Sequence, residues 1–280
     1  MPELPEVETV RRGLALRLEG RRLVRVQQNR PDLRFPLPRD FVRRLEGRQV
    51  LAVRRRAKYL LIEMADGTVL LVHLGMSGRM LVSRREEALT ERHDHVVLET
   101  DEGWVVRFND ARRFGMMDLA DRSTVADHPL LAGLGPEPLG PDFDGAGLAA
   151  ALAGRSTTIK AALLDQRVVA GLGNIYVSEI LYRAGLSPLR RAGTVAGARA
   201  ERLAAAIKSV LAEAVAAGGS SLRDYVQTSG ELGYFQHRWA VYDRERQSCP
   251  DCDCNLRRTG GIRRIVQTGR STFYCPRRQR

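Results

Sequence analysis

Met1-Pro2-Glu3-Leu4-Pro5-Glu6-Val7-Glu8-Thr9-Val10 opens the chain, and the rest of the molecule takes its meaning from how this run is read. Removal of the initiator methionine, which a small second residue such as proline permits, would leave the secondary amine of Pro2 at the start. A free α-amino group titrates near pH ~7.7–8.0, so an appreciable fraction is unprotonated at neutral pH. Such an amine can attack the anomeric carbon of a sugar and pass through an iminium, as in Schiff-base covalent catalysis. Glu3 stands beside it as a carboxyl able to move protons. The same residues also fit an ordinary start with a stiff Pro-x-x-Pro lead-in, and taken alone they favour that plainer reading. Pro5 suits the first turn of a helix, and Glu6 and Glu8 suit its positive end. Val7, Val10 and Leu14 then recur at helical spacing until Gly20.

Beyond Gly20 the texture changes to short β-branched runs: Leu51–Val53, Tyr59–Ile62, Val69–Val72, His95–Leu98 and Trp104–Phe108. Ala65-Asp-Gly-Thr68 and Thr100-Asp-Glu-Gly103 are turn signals that make hairpins of their flanks. Strands at this spacing predict an antiparallel sandwich or barrel. A Gly- and Pro-rich stretch from His128-Pro129 to Pro141 reads as a linker. Helical patterns follow at 145–152, 158–166 and 174–183. A long amphipathic helix carrying Leu203, Ile207, Val210, Leu211 and Val215 comes next, and Gly218-Gly219 stops it. Residues 220–236 are polar and read as a loop. The expected fold is therefore multidomain α+β. A helix plus antiparallel β-sandwich fills 1–125, a linker 126–145, a helical domain with the polar loop 146–236, and a cysteine-bearing hairpin 237–280.

Lysine and arginine total 45 against 33 acids, a formal net charge of +12 over 280 residues. That balance favours a polyanionic partner, nucleic acid before membrane surface. No apolar run approaches the ~18 residues a membrane span needs, and no secretory signal pattern is present, so a cytoplasmic protein is expected. Only Lys58, Lys160 and Lys208 are lysine; the other 42 basic residues are arginine. A lysine kept in so arginine-rich a chain can mark a place where a compact ammonium is wanted, although Lys208 reads as helix surface. All four cysteines lie between Cys249 and Cys275, a clustering that points to metal binding rather than to a disulfide framework.

Three further stretches carry chemistry. Gly171-Leu-Gly-Asn174 joins two helical segments, with Asn174 as a candidate N-cap whose helix start could face a phosphate. Phe108-Asn-Asp-Ala-Arg112-Arg-Phe114-Gly115 follows a strand and sets arginines between aromatics. That composition suits a loop that enters a duplex and unstacks a base step, and equally a plain hairpin with Phe114 in the core. His73-Leu-Gly-Met76 places a flexible methionine after another strand. The tail has eleven arginines against four acids from Arg238 onward. Its Cys249-Pro-Asp-Cys252 is a zinc-knuckle pair. The segment ending at Cys275 reads as a hairpin turning near Gly269, with Arg270 at its tip.

Taken together, the Met1–Glu6 start, Lys58, His73–Met76, Asn109–Gly115, Gly171–Tyr176 and Gly269–Cys275 resemble the bacterial formamidopyrimidine-DNA glycosylases, nearly end to end and in order. The Leu4 start and the trio Met76, Arg112 and Phe114 fit that family better than its relative endonuclease VIII. The resemblance implies an N-terminal helix with a β-sandwich, a helix–two-turn–helix domain and a C-terminal zinc finger. It also implies a monomer acting on double-stranded DNA that contains oxidised bases, with no membrane partner. Pro2 would displace 8-oxoguanine or a formamidopyrimidine and form an imine with the deoxyribose, and β,δ-elimination would follow. Glu3 would move the protons, and Glu6 would support the site. Lys58 and Arg270, counted with the catalytic set, would clamp phosphates together with His73 and Asn174. Met76, Arg112 and Phe114 would fill the void left by the extruded base. Lys160 and Tyr242 are further DNA contacts on this analogy, and the loop at 220–236 matches the place where the family closes over that base.

The departures gather in the finger. Arg278 stands where the fourth cysteine is expected, and the gap from Cys252 to Cys275 is longer than usual. Zn2+ is expected on Cys249, Cys252 and Cys275. Cys254 is a candidate fourth ligand, His237 a remoter one, and a zincless finger held by packing is the alternative. Ala111 replaces the family's usual proline and removes no contact group. Two other functions stay open on the sequence: an endonuclease VIII-like enzyme for oxidised pyrimidines, and a non-catalytic binder of damaged DNA.

Overall fold

Pro5 does start a helix. In the computed structural model, which describes residues 1–220, 227–252 and 256–280, α1 runs Leu4–Leu18 with Pro5 in its first turn. Val7, Val10, Leu14 and Leu18 face inward, each at most 1% exposed. The chain divides into two compact units, Met1–Ala132 with Val215–Gln236, and Gly133–Ala214 with His237–Arg280.

In the first unit the strands are β1 (Leu23–Gln28), β2 (Val50–Arg56), β3 (Tyr59–Met64), β4 (Thr68–His73), β5 (Arg79–Arg84), β6 (Asp94–Thr100), β7 (Trp104–Asn109) and β8 (Met116–Asp121), with a short α2 (Phe41–Leu45) before β2. They form two four-stranded antiparallel sheets, ordered β1-β6-β7-β5 and β2-β3-β4-β8. Inward residues of both sheets share one core with α1 and α2. Val26, Leu60, Leu70, Val96, Val106 and Phe108 meet Leu14 and Phe41 there, as period-2 alternation on two facing sheets requires. The two turn signals form as expected: Asp66 Oδ1 accepts from Thr68 N at 3.0 Å, and Gly103 N reaches Thr100 O at 3.0 Å. The β2–β3 connection is only Ala57-Lys58, because Arg56 pairs with Tyr59.

The second unit is built from α3 (Gly145–Leu152), α4 (Ile159–Leu164), α5 (Asn174–Arg183) and most of α6 (Ala198–Ala216), then α7 (Leu256–Thr259) and the hairpin β9 (Arg263–Gln267) with β10 (Arg270–Tyr274). Asp144 caps α3 by accepting from Gly147 N at 2.7 Å, and Thr158 caps α4. The expected cap of α5 is displaced by one residue. Gly173 is the N-cap and Asn174 is the first helical residue, because the Asn174 amide is engaged elsewhere in the unit. At the β9–β10 turn Thr268 and Gly269 both take positive φ, 47° and 72°. Two-residue hairpin turns favour that conformation at both positions.

Candidate active site and nucleic-acid interface

The α1 start is locked from two sides. Glu3 is the N-cap, and it forms a capping box with Glu6. Glu6 Oε2 accepts from Glu3 N at 2.8 Å, and its other oxygen accepts from Ser220 N at 2.8 Å. One carboxylate, 2% exposed, therefore holds the Pro2-Glu3 peptide against the segment that follows α6. Pro2 and Glu3 are themselves buried. The middle of the polar loop expected to close over an extruded base, residues 221–226, lies outside the described residues.

One end of the β2-β3-β4-β8 sheet gathers the next group. Lys58 sits in the β2–β3 turn and is buried. Tyr59 pairs with His73 across β3 and β4, their rings 4.8 Å apart, and His73 pairs with Met116 of β8. Burial, with the Lys58 and Arg34 cations nearby, pushes the His73 imidazole down to a pKa of about 4. The ring is thus neutral at pH 7. Its Nδ1 accepts from Gly75 N at 3.0 Å, which leaves Nε2–H as the donor. A neutral, oriented N–H suits a phosphate oxygen without adding a buried charge.

The β4–β5 and β7–β8 connections leave this end side by side. Met76 is 39% exposed and Phe114 43%, and the Arg112 guanidinium lies 4.9 Å from the Phe114 ring centroid. Phe114 is therefore no core residue. The two connections touch backbone to backbone. Gly75 has φ 62°, and a Cβ there would meet Phe114 C at 2.3 Å and Gly115 N at 2.4 Å. Behind them Asp110, fully buried, accepts from Ser77 Oγ at 2.5 Å and from Gly115 N at 2.7 Å, while Ser77 Oγ accepts from Arg112 N at 3.2 Å. Asp110 lies within a stretch that the sequence marks, but no role for it or for Ser77 is legible there, since what they do depends on two hairpins meeting.

The second unit gathers a group of its own. Asn174 Nδ2 donates to Ser271 O at 3.0 Å and to Tyr242 OH at 3.4 Å. Lys160 is fully buried, and its Nζ donates to Ser271 O at 3.0 Å and Thr272 Oγ1 at 2.6 Å. The ammonium expected to face DNA is spent on the hairpin that carries Arg270. Arg270 itself is exposed at the start of β10. Glu179, on the same helix as Asn174, was not singled out in the sequence. It is buried and accepts from the backbone N–H groups of Ala240, Val241 and Tyr242 at 2.8–3.0 Å, which fixes Tyr242 beside Asn174.

Cys249, Cys252 and Cys275 converge, their sulfurs 2.8, 3.5 and 3.6 Å apart. Tetrahedral zinc with ~2.3 Å bonds needs sulfurs about 3.8 Å apart, so a small opening of the closest pair suits the ion. His237 is not in this cluster, and Cys254 lies outside the described residues. Arg278 does not point its charge at the thiols. Its guanidinium stacks 4.8 Å from the Tyr182 ring and reaches Asp251 at 3.4 Å. Around the cluster Tyr182, Val241, Ile262 and Phe273 form a small apolar core. The donor set fits Zn2+, which here would tie the start of the tail to the end of β10.

These arrangements have close counterparts. The family model for the formamidopyrimidine-DNA glycosylase N-terminal domain matches residues 1–117, and that for the formamidopyrimidine-DNA glycosylase H2TH domain matches residues 134–226. The formamidopyrimidine-DNA glycosylases of Rhodospirillum centenum and Rhodospirillum rubrum are each 63% identical to the chain, with the whole of both chains covered in each case. Among solved structures, the MutM (Fpg) protein of Thermus thermophilus superposes with a TM-score of 0.86 at 40% identity, over 99% of this chain and 98% of that one. The Lactococcus lactis Fpg in complex with DNA containing an abasic site gives a TM-score of 0.88 at 32% identity, over 99% of each chain. With matched domains in both units and whole-length relatives at this identity, the chain belongs to the formamidopyrimidine-DNA glycosylase family.

Proposed function

We propose that this chain is a base-excision repair enzyme that removes oxidised purines, 8-oxoguanine and formamidopyrimidines, from duplex DNA and then cleaves the abasic site. The observation that carries the reading is the Glu6 lock, which sets Pro2-Glu3 at the capped start of α1. Once Met1 is removed, the Pro2 nitrogen is a secondary amine. Its lone pair attacks C1′ of the damaged nucleotide as the bond to the base breaks, and the amine's proton passes to the departing base. Opening of the sugar ring at C1′–O4′ then turns the resulting aminal into an iminium. Glu3, beside it, protonates the ring oxygen so that the sugar opens, and it moves protons during the later β- and δ-eliminations.

The roles of the remaining residues follow from their settings. In the first unit His73 offers a neutral N–H and Lys58 a cation, and in the second Arg270 offers a cation and Asn174 the N–H of a helix start, each suited to a phosphate oxygen. Met76, Arg112 and Phe114 are exposed side chains on abutting connections, and they would occupy the place the base leaves, with Arg112 facing its former partner. Tyr242 lines the Asn174 side. Lys160 acts through the hairpin instead of on DNA. Zinc, when bound, would supply no chemistry to the reaction and would tie the start of the tail to the end of β10. Among the described residues no helix is long and apolar enough to cross a membrane, and we place the enzyme's work on the chromosome in the bacterial cytoplasm.

The test is borohydride trapping on an 8-oxoguanine·cytosine duplex, with mass spectrometry of the adducted peptide. A reduced adduct on Pro2 is expected. Protein that begins at Pro2 and binds the duplex without forming an adduct would overturn the catalytic reading in favour of a binding protein.

A further inference from the structure

We propose that Ser77 and Asp110 are positioning residues that latch the Met76 and Arg112–Phe114 connections into a single wedge. The inference rests on the role proposed above for those three side chains. Its physical basis is a closed set of bonds between two segments 33 residues apart. Asp110 is 0% exposed and Ser77 6%. The Asp110 carboxylate uses one oxygen for the Ser77 hydroxyl and the other for Gly115 N. The Ser77 oxygen in turn accepts from Arg112 N. His95 Nε2 meets Asp110 O at 2.8 Å from β6, so the Asp110 backbone is anchored as well.

Such a network does more than stabilise. Met76 immediately precedes Ser77, Arg112 donates its own N–H to the latch, and Phe114 immediately precedes Gly115. Each void-filling side chain is thus within one residue of a latched atom. Gly75 permits the second layer of contact, its Cα resting against the Phe114–Gly115 peptide where no Cβ fits. The positive φ of Arg113, 55°, is a conformation non-glycine residues adopt at some cost, and surrounding contacts must hold it. The Arg113 N bond to Asp110 O at 3.3 Å is one of those contacts. The latch fixes the separation of Met76 from Arg112 and Phe114, so the three enter the stack together and the ordering is complete before DNA binds. A misplacement of ~1 Å at such a site can cost up to about 100-fold.

Ser77→Ala tests this, because it removes the hydroxyl bridge and leaves the Asp110–Gly115 bond in place. Single-turnover excision from an 8-oxoguanine·cytosine duplex is expected to fall by roughly 10–100-fold, with poorer discrimination between cytosine and adenine opposite the lesion. Borohydride trapping on a preformed abasic site in single-stranded DNA, which has no opposite base and no stack to open, is expected to stay within about threefold. Ser77→Thr, which keeps the hydroxyl, should restore excision. Should S77A fail to fold, Ser77→Cys keeps the shape with a weaker donor and should show the same selective loss in milder form. Excision unchanged in S77A, or trapping on single strands lost in parallel with it, overturns the latch while leaving Pro2 chemistry intact. Absence of trapping by the unmodified enzyme would instead overturn the function on which the latch rests.

Discussion

Replacing Glu6 by glutamine changes one oxygen for an amide and leaves the shape alone, so it isolates what the carboxylate does at the α1 start. In the native enzyme its two oxygens accept from Glu3 N and Ser220 N, both at 2.8 Å, in a site where Glu6 is 2% exposed. Glutamine can satisfy one of those donors and presents an NH2 to the other. One charge-assisted bond is lost and a buried N–H is left facing a donor, at a cost of about 2–3 kcal/mol. For a unit of this size that corresponds to roughly 4–12 °C in the melting temperature. The chain has two tryptophans, and they fall one in each unit. Trp104 lies between the guanidinium groups of Arg17 and Arg84, at 4.2 and 3.8 Å, in the first unit. A Trp239→Phe background therefore lets Trp104 fluorescence report the unfolding of the first unit alone. In that background E6Q is expected to lower the urea midpoint and to slow borohydride trapping at Pro2. Glu6→Ala, which orphans both donors, should roughly double the loss of stability. An unchanged midpoint together with an unchanged trapping rate in E6Q would refute the claim that this carboxylate sets the nucleophile.

Two further outcomes follow from the site. His73 sits at a pKa of about 4 against about 6.5 in the unfolded chain. Between those values the unfolded state holds a proton that the folded state does not, so stability is full above pH 6.5 and falls as pH drops towards 4, by at most about 3 kcal/mol. His73→Gln should flatten that acid-side slope in urea midpoints taken at pH 7 and pH 4.5, and an equal slope in the variant would assign it to other groups. One zinc per chain is expected from the three-sulfur cluster, lost on Cys275→Ser. Because Phe273, Tyr242 and Trp239 stack edge to face at 5.1 and 5.0 Å, metal loss should shift Trp239 emission to the red in a Trp104→Phe background. Protein purified without chelator that contains no zinc, with Trp239 emission insensitive to C275S, would show a finger held by packing alone.

What the sequence could and could not convey divides along the range of the interactions. Helix α1 and the hairpins were legible because their signals are local: Pro5 in a first turn, valines at helical spacing, Asp-Gly at a turn. The cysteines were legible because a Cys-x-x-Cys pair is itself a piece of geometry. Asn174 shows where that stops. Its type and place suggested an N-cap, yet the structure gives the cap to Gly173 and sends the amide to Ser271, 97 residues on. Lys160 is the same case in sharper form. The resemblance to the family made it a DNA contact, but its ammonium is buried on Thr272, 112 residues away. Lys160 donates as an ammonium should, to an unforeseen partner, whereas Asn174, read as a cap that accepts, donates instead. The distinction carries a mechanistic consequence. Asn174 and Lys160 both end on the Ser271 carbonyl, the residue directly after Arg270. Two donors from two helices, α4 and α5, thus hold the β10 start from which Arg270 extends. The finger departs from its family's pattern at Arg278, in its metal-binding half, but the face that would present Arg270 is held by bonds that require no metal at all.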